Sequence, residues 1–202
     1  MPQFVPEDLA PREAYHLLTS LVVPRPIAWV STLSEQGTRN LAPHSYFNVV
    51  SSDPPIVHFT SSGQKDTLRN ARATGEFVVS VVSRELVDAM NVTAADFPPG
   101  EDEFTWARIE SAASTVVAPP RVADSKAALE CRVREVLVMG NGIMVFGEVV
   151  HIHIAEEVWR DGRVHPELLR PVGRLAGADY AFVEQVHRLP RPSWDDVRRR
   201  DR

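Results

Sequence analysis

Cysteine is almost missing from this chain of 202 residues, which contains only Cys131. A disulfide needs two cysteines, so none can form within the chain, and a zinc site built from thiolates would need several. We therefore expect a protein that works in a reducing compartment, without a disulfide and without a bound metal.

Long apolar runs and an excess of positive charge are missing as well. No stretch offers the ~20 consecutive apolar residues that cross a bilayer, and residues 1–8 lack the basic and apolar segments of a signal peptide. The formal net charge of -5 gives the chain no general attraction for nucleic acid or for an anionic membrane. We expect a cytoplasmic protein with neither kind of partner.

Three common functional motifs are also absent. The sequence contains no GxGxxG, no GxxxxGK[ST] and no GxSxG segment. The signatures of dinucleotide-binding folds, P-loop proteins and serine hydrolases are therefore lacking.

The composition that remains is typical of one globular domain. Apolar residues make up 44% of the chain and charged residues 24%, which argues against disorder. We place a single domain at residues 1–187 and a charged C-terminal tail at 188–202. The arginines of that tail are interrupted by acidic residues, so we interpret it as a frayed, solvated end and not as a nucleic-acid patch.

The hydrophobic pattern predicts mainly strands. Those predicted from β-branched and aromatic runs cover 27–33, 39–45, 56–60, 76–82, 127–139 and 143–154. Short helices are predicted over 11–21, over 67–74 and after Ser83, and an exposed loop over 93–106. Because the strands do not alternate with helices, we expect an antiparallel barrel, closed or nearly closed, with short peripheral helices.

The start of the predicted helix after Gly63 has the chemistry of an anion site. Lys65, Asp66 and Thr67 place a cationic side chain and a hydroxyl where backbone N–H groups are free and the helix dipole is positive. A phosphate would suit this position, and Asn70 extends the polar surface toward it. The alternative is an ordinary aspartate cap beside a surface lysine.

Small polar residues between aromatic and apolar ones form a second candidate. Ser45 and Asn48 flank Tyr46 and Phe47 in a strand-to-turn segment. Their donors and acceptors suit the polar edge of a flavin, while apolar neighbours would pack against its faces. The alternative is a turn in which Ser45 and Asn48 bond their own backbone.

Two histidines share one face of a predicted strand. His151 and His153 are spaced by two residues, so their side chains point the same way. Such a pair could bind a metal, but the sequence places no third ligand beside it, and a solvated or interfacial strand face is the alternative that we favour.

Several of these phrases resemble one known family. Residues 25–32 (RPIAWVST), 40–48 (NLAPHSYFN), 65–70 (KDTLRN) and 172–180 (VGRLAGADY) are similar to segments of the flavin reductase-like family of FMN-binding split-barrel proteins. The resemblance covers most of residues 10–185. It implies a mainly β fold, an antiparallel split β-barrel of Greek-key type, and a homodimer with FMN near the subunit interface.

The resemblance also assigns site residues. Those expected to line the isoalloxazine ring, the ribityl chain or the ring edge are Trp29, Val30, Ser31, Thr32, Ser45, Phe47 and Asn48. Those expected at the phosphate are Lys65, Asp66, Thr67 and Asn70, while Arg174 and Tyr180 would approach the flavin or the nicotinamide. His44 lies beside this set, either as a proton donor at the flavin or as a packed histidine, and no side-chain nucleophile is expected.

The function implied is an FMN-binding oxidoreductase that transfers a hydride from NADH or NADPH to flavin. Reduced flavin could then pass to a partner monooxygenase or remain bound and reduce another acceptor. One alternative is a non-catalytic FMN-binding electron carrier. Another is a pyridoxamine phosphate oxidase-like enzyme on the same barrel.

Overall fold

The computed structural model of the chain describes residues 1–200. Asp201 and Arg202, which end the predicted charged tail, lie outside the described residues. In the part of the chain that is described, no helix has the length and apolar character needed to span a membrane.

Helices are short and lie at the periphery of the sheet. The α-helices are α1 (Pro11–Leu21), α2 (Asp66–Thr74), α3 (Val87–Val92), α4 (Glu103–Trp106), α5 (Pro166–Leu169) and α6 (Trp194–Arg200). Single turns of 3-10 helix cover Pro6–Asp8, Arg84–Leu86 and Glu156–Val158.

Strands make up most of the regular structure. In chain order they are β1 (Arg25–Pro26), β2 (Ala28–Leu33), β3 (Arg39–His44), β4 (Phe47–Ser52), β5 (Pro55–Ser62), β6 (Glu76–Val81), β7 (Ser111–Ala112), β8 (Arg121–Val122), β9 (Ala127–Met139), β10 (Gly142–Ile154), β11 (Trp159–Arg160), β12 (Arg163–Val164), β13 (Val172–Arg174) and β14 (Tyr180–Phe182).

Seven of these strands form one sheet in the order β3-β2-β6-β9-β10-β5-β4, with every neighbouring pair antiparallel. A smaller sheet joins β1, β13 and β14, and two short hairpins complete the set. The sequence prediction of a mainly β, antiparallel fold is confirmed. The strand pairings of residues 1–200 include no ladder between β3 and β4, so a closed barrel is not shown.

Local signals explain where the elements begin and end. Pro11 opens α1 at a position where its missing N–H costs nothing, and the carboxylate of Glu13 accepts the N–H of Ala10 at 3.0 Å. Gly75 ends α2 in the left-handed conformation, with φ 74°. Gly140, with φ 58°, forms the tight turn between β9 and β10, and both predicted strands of that hairpin are confirmed.

The prediction missed β4. This strand lies at the edge of the sheet. Its adjacent residues Val49 and Val50 are both exposed, and its sequence does not alternate between apolar and polar residues as that of a half-buried strand would. The predicted loop at 93–106 is also interrupted, because α4 occupies its end and buries Phe104.

Two apolar clusters pack on opposite sides of β2. Val30 belongs to the cluster that holds Phe59, Phe77 and Leu68, which packs α2 against the sheet. Trp29 belongs to the other, with Leu41 and Met90 among its members. α2 packs on the Val30 side of β2, and the start of α2 meets residues 96–100 through the Lys65–Asp96 ion pair and a hydrogen bond from the Gly100 N–H to Asp66.

Candidate functional site

A cavity of about 520 Å³ lies where the end of β3, the connection from β5 to α2 and residues 94–99 meet. This volume is within the ~300–1,000 Å³ range of small-molecule sites. Its walls combine aromatic and apolar groups, Tyr15, Pro43, Tyr46 and Phe97, with polar and charged side chains, and we call the part formed by residues 64–69 its polar end. A planar apolar molecule with a polar tail would match this mixture.

The polar end is formed by the start of α2. Lys65 occupies the N-cap position, and no side chain among residues 1–200 caps the helix with a hydrogen bond. The first N–H groups of α2 are therefore left as donors beside the Lys65 ammonium group, which lies 3.3 Å from Asp96 at the exposed rim. These groups fit a phosphate.

A hydrogen-bond network in the cavity wall links three predicted residues through Asn40, which was not predicted, and both Asn40 and Thr67 line the cavity. The Asn40 Oδ1 atom accepts the hydroxyl of Thr67 at 2.8 Å and that of Thr32 at 3.3 Å. The amide of Asn70 donates to Thr32 Oγ1 at 3.1 Å. Thr32, Thr67 and Asn70 thus share a common support, but the hydroxyls of Thr32 and Thr67 are buried and engaged within it.

Glu103 anchors this network and was missed by the sequence analysis, which assigned it to an exposed loop. Its carboxylate accepts the Asn40 Nδ2–H at 2.8 Å and the backbone N–H of Leu41 at 2.9 Å. Burial raises the pKa of Glu103, although the hydrogen bonds from Leu41 and Asn40 oppose the shift. No local sequence signal joins Glu103 to a residue 63 positions earlier.

His44 is a largely buried residue of the cavity wall. Its ring lies 4.7 Å from that of Phe59, and its Nδ1 atom is 3.3 Å from the carbonyl oxygen of Thr60. Burial lowers the pKa of His44 to about 4, so the ring is neutral near pH 7. Because the carbonyl can only accept, the proton is on Nδ1, and Nε2 is buried without a partner among residues 1–200. This arrangement favours the packed-histidine alternative over a proton donor.

A second recess, of about 190 Å³, adjoins the cavity and shares Tyr15, Pro43, Ser45 and Ala94 with it. The predicted residues Arg174 and Tyr180 line this recess and not the main cavity. Arg174 donates to the phenol oxygen of Tyr180 and to the carbonyl of Gly177. Ser45 therefore lies between the two spaces.

The four predicted residues of β2 have side chains in the protein interior. Trp29, Val30, Ser31 and Thr32 are all 0% exposed and do not line the cavity. The indole N–H of Trp29 donates to Thr93 at 2.9 Å, and the Ser31 hydroxyl donates to the carbonyl of Pro120. The structure gives these side chains a packing role, and their contact with a flavin stays a prediction.

Two further predicted residues lie outside the cavity. Phe47 packs against the apolar cluster around Phe59. Asn48 is exposed, and its Oδ1 atom accepts the N–H of Val49 at 2.8 Å, which is the turn-like bonding of the alternative interpretation. Of the residues predicted at the ring edge, Ser45 is the one that lines the cavity.

His151 and His153 have a carboxylate beside them. His153 Nε2 lies 2.5 Å from the buried Glu130, and the two imidazole rings are 4.7 Å apart. Glu130 also accepts backbone N–H groups from residues 115–117. Burial alone would raise the pKa of Glu130, but these hydrogen bonds outweigh it and lower the pKa to about 2. Glu130 and His153 thus anchor the segment at 115–117.

Comparisons with known proteins agree with the fold. The chain is 35% identical to nitrilotriacetate monooxygenase component B from Bacillus cereus, with a TM-score of 0.89 over 94% of this chain and 98% of that one. It is 32% identical to the 2-nitrobenzoate 2-nitroreductase of Pseudomonas fluorescens, with a TM-score of 0.89 over 96% and 98%. A protein with a split barrel domain from Shewanella frigidimarina, 21% identical, has a TM-score of 0.84 over 93% and 96% and supports the fold alone.

The sequence model of the flavin reductase like domain matches residues 20–167. This match covers β1 to β10, the whole seven-stranded sheet, together with α2 and the polar end of the cavity. The chain therefore belongs to the flavin reductase-like family.

Proposed function

We propose that the chain binds FMN in the main cavity and transfers a hydride from NADH or NADPH to it. The observation that carries the proposal is a cavity lined by aromatic and apolar groups together with Lys65 and the uncapped start of α2. FMN combines the matching parts, an apolar tricycle and a phosphate. Bound FMN would supply the redox chemistry.

The chain's own residues would bind and orient the cofactor. Lys65 and the first N–H groups of α2 would hold the phosphate through charge-assisted hydrogen bonds. Ser45 would contact the polar edge of the ring, because it lies where the cavity meets the recess. Tyr15 and Tyr46 would exclude water from the ring faces. The network through Asn40 and Glu103 would keep the start of α2 in position.

We also propose that two copies of the chain form a dimer. The α1 side chains Tyr15, Leu18 and Leu21 are 54%, 60% and 77% exposed, and Tyr15 borders the cavity. An apolar helix face of this kind is commonly covered by another protein surface. Light scattering during size exclusion tests this, with Leu18→Glu expected to halve the mass and a monomeric wild type counting against it.

We further propose that the seven-stranded sheet closes into a barrel. His44, at the end of β3, contacts Phe59 and Thr60 of β5, although these strands lie near opposite ends of the sheet. The sheet must curve for this contact to form, and the split-barrel protein from Shewanella frigidimarina shares the fold. An experimental structure with FMN would test whether the strands close around the core.

The acceptor of the electrons is proposed from the named neighbours. One is named as component B of a monooxygenase, which supports a partner monooxygenase that consumes reduced flavin. Another is named as a reductase of a nitroaromatic acid, which supports direct reduction of a small acceptor. Oxygen consumption with and without candidate partner enzymes would separate the two routes.

Visible absorbance tests the central proposal. The purified protein, or the protein titrated with FMN, is expected to show a bound flavin spectrum that NADH or NADPH bleaches under anaerobic conditions. A bound flavin that neither nucleotide reduces would favour the electron-carrier alternative, and amine-dependent oxygen uptake would favour the pyridoxamine phosphate oxidase alternative. Protein that fails to bind FMN would overturn the proposal.

A further inference from the structure

The recess beside the main cavity has an unbalanced charge. Arg25 and Arg174 both line it, and no acidic side chain is among the described residues of its wall. Neither guanidinium group has a carboxylate partner within 4.0 Å in residues 1–200; both are held by neutral oxygen atoms instead. Two like charges in one small space repel each other, so an anion bound there would be stabilised by both.

Arg25 is a fixed source of this charge. It is only 7% exposed, and its terminal nitrogens donate at 2.7 Å to the carbonyls of Thr19, Val22 and Leu175. These bonds join the end of α1 to the segment after β13 and prevent the side chain from leaving the recess. Its Nε–H group is buried without a partner among the described residues. The protein therefore maintains a desolvated positive charge here with no internal counter-ion.

Arg174 provides the hydrogen bonds that a ligand would use. Of the five N–H donors on a guanidinium group, Arg174 directs one to Tyr180 and one to the Gly177 carbonyl. The remaining donors are available on a half-buried side chain that stacks 4.5 Å from the Tyr180 ring centre. This geometry orients a fork of donors, which suits an oxyanion.

We propose that this recess is an oxyanion subsite that binds the negatively charged group of the molecule exchanging electrons with the flavin. The inference rests on the proposed function, since the shared residues Tyr15 and Ser45 place any occupant of the recess against the main cavity. Ile27 and Met90 give the recess an apolar wall as well. The anion is either the carboxylate of a small aromatic acid or the phosphate of a nicotinamide nucleotide.

Isothermal titration of benzoate and of inorganic pyrophosphate onto the FMN-loaded protein tests this subsite directly. At least one anion is expected to bind the wild type, and Arg174→Gln is expected to weaken that binding at least tenfold. Arg174→Lys keeps the charge and should retain part of the affinity. Arg163→Gln, which removes an exposed charge on the β11–β12 hairpin, is the matched control and should leave binding unchanged.

The outcomes separate the sources and the two proposals. Binding of benzoate alone identifies a carboxylate, and binding of pyrophosphate alone identifies a nucleotide phosphate. The subsite is overturned if neither anion binds the wild type, or if Arg174→Gln binds both as tightly as Arg163→Gln does. FMN affinity is measured on the same samples, and if FMN itself does not bind, the proposed function fails while the anion titration on the protein alone still decides the subsite.

A kinetic comparison provides a second readout. Flavin reduction by NADH should show a KM raised about tenfold in Arg174→Gln with little change in kcat if the subsite holds the nucleotide phosphate. Reduction by N-benzyl-1,4-dihydronicotinamide, a donor without a phosphate, should be unaffected by the same change. Equal losses with both donors would indicate a structural role for Arg174 and contradict the subsite.

Discussion

The imidazole of His44 lies against the backbone of Thr60, with Nδ1 3.3 Å from the carbonyl oxygen. This contact joins two strands that are far apart in the order of the sheet, and it does so at the edge of the main cavity. Burial lowers the pKa of His44, with a smaller contribution from the charge of Lys65, and keeps the ring neutral near pH 7. A proton added here would therefore act on both the fold and the site.

Protonation of His44 should reduce stability as the pH falls from about 6.5 to about 4. Burial lowers the pKa of His44 from 6.5 to about 4, so between these values the unfolded chain binds a proton that the folded chain does not. At ~1.4 kcal/mol per pKa unit, the free energy of unfolding should fall by up to about 3 kcal/mol across this window. Urea unfolding at a series of pH values measures it.

His44→Phe removes the titrating group and provides the comparison. The variant should lose less stability than the wild type between pH 6.5 and 4. Glu130, whose pKa is lowered to about 2, loses its contribution mainly below pH 4.5, outside most of this window. Identical pH profiles for the variant and the wild type would contradict the predicted role of His44.

Glu103→Gln should destabilise the protein and loosen the start of α2. An amide in place of the carboxylate would turn an N–H group toward either the Asn40 amide or the Leu41 N–H, both of which are donors. We expect a loss of about 1–3 kcal/mol in the free energy of unfolding, the cost of leaving a buried donor without an acceptor. Urea unfolding is the measurement.

Glu110→Gln is the matched control for Glu103→Gln, because Glu110 is exposed. Its effect should stay within about 0.5 kcal/mol. Since the Asn40 network supports Thr67, Glu103→Gln should also weaken FMN binding if the proposed site is right. Equal stabilities for the two variants would show that the Glu103 carboxylate does not anchor the network.

The elements that could be predicted from sequence are those whose signals are local. α1, α2 and the β9–β10 hairpin are set by proline, glycine and residue periodicity within a few positions, and all were predicted correctly. The edge strand β4 was not, because both Val49 and Val50 are exposed and its sequence does not alternate. Strand pairing there depends on β5 and not on β4's own pattern.

Within the candidate site, the start of α2 could be predicted because local sequence determines it, whereas side-chain positions that depend on tertiary packing could not. The cationic start of α2 follows from Lys65 and the helix that begins after it. The directions of the β2 side chains could not be predicted from sequence, because a strand that is covered on both faces does not alternate between apolar and polar residues. In the structure, Trp29 and Val30 belong to different apolar clusters. Glu103 lay beyond prediction because its partners are distant in sequence.

Gly147→Ala should overpack the core beneath the sheet. A Cβ atom at this position would overlap the Phe77 ring and lie 3.0 Å from Cβ of Cys131, so the Phe77 ring would have to move. The expected loss is about 1–3 kcal/mol in the free energy of unfolding, measured with urea. Combining it with Phe77→Leu should cost less than the sum of the two single changes, because the smaller side chain makes room. Strictly additive losses would show that the two sites do not compete for space.

Lys65→Ala should weaken FMN binding more than riboflavin binding. The Lys65 ammonium group lies at the uncapped start of α2, where the proposed phosphate would be, and riboflavin has no phosphate. Loss of a hydrogen bond to a charged group costs about 1.5–3 kcal/mol, which corresponds to roughly a 10–100-fold rise in the Kd for FMN. Quenching of flavin fluorescence on binding measures both dissociation constants.

The chain's other lysine gives the matched control. Lys126 donates to the carbonyl of Leu168 at 3.0 Å and does not line the cavity, so Lys126→Ala should leave both flavin affinities unchanged. The ratio of the FMN to the riboflavin dissociation constant is the decisive quantity, because a general loss of folding would raise both constants together. A ratio that Lys65→Ala leaves unchanged would place the phosphate elsewhere, whereas a ratio that rises tenfold or more while riboflavin still binds would assign the phosphate to the start of α2.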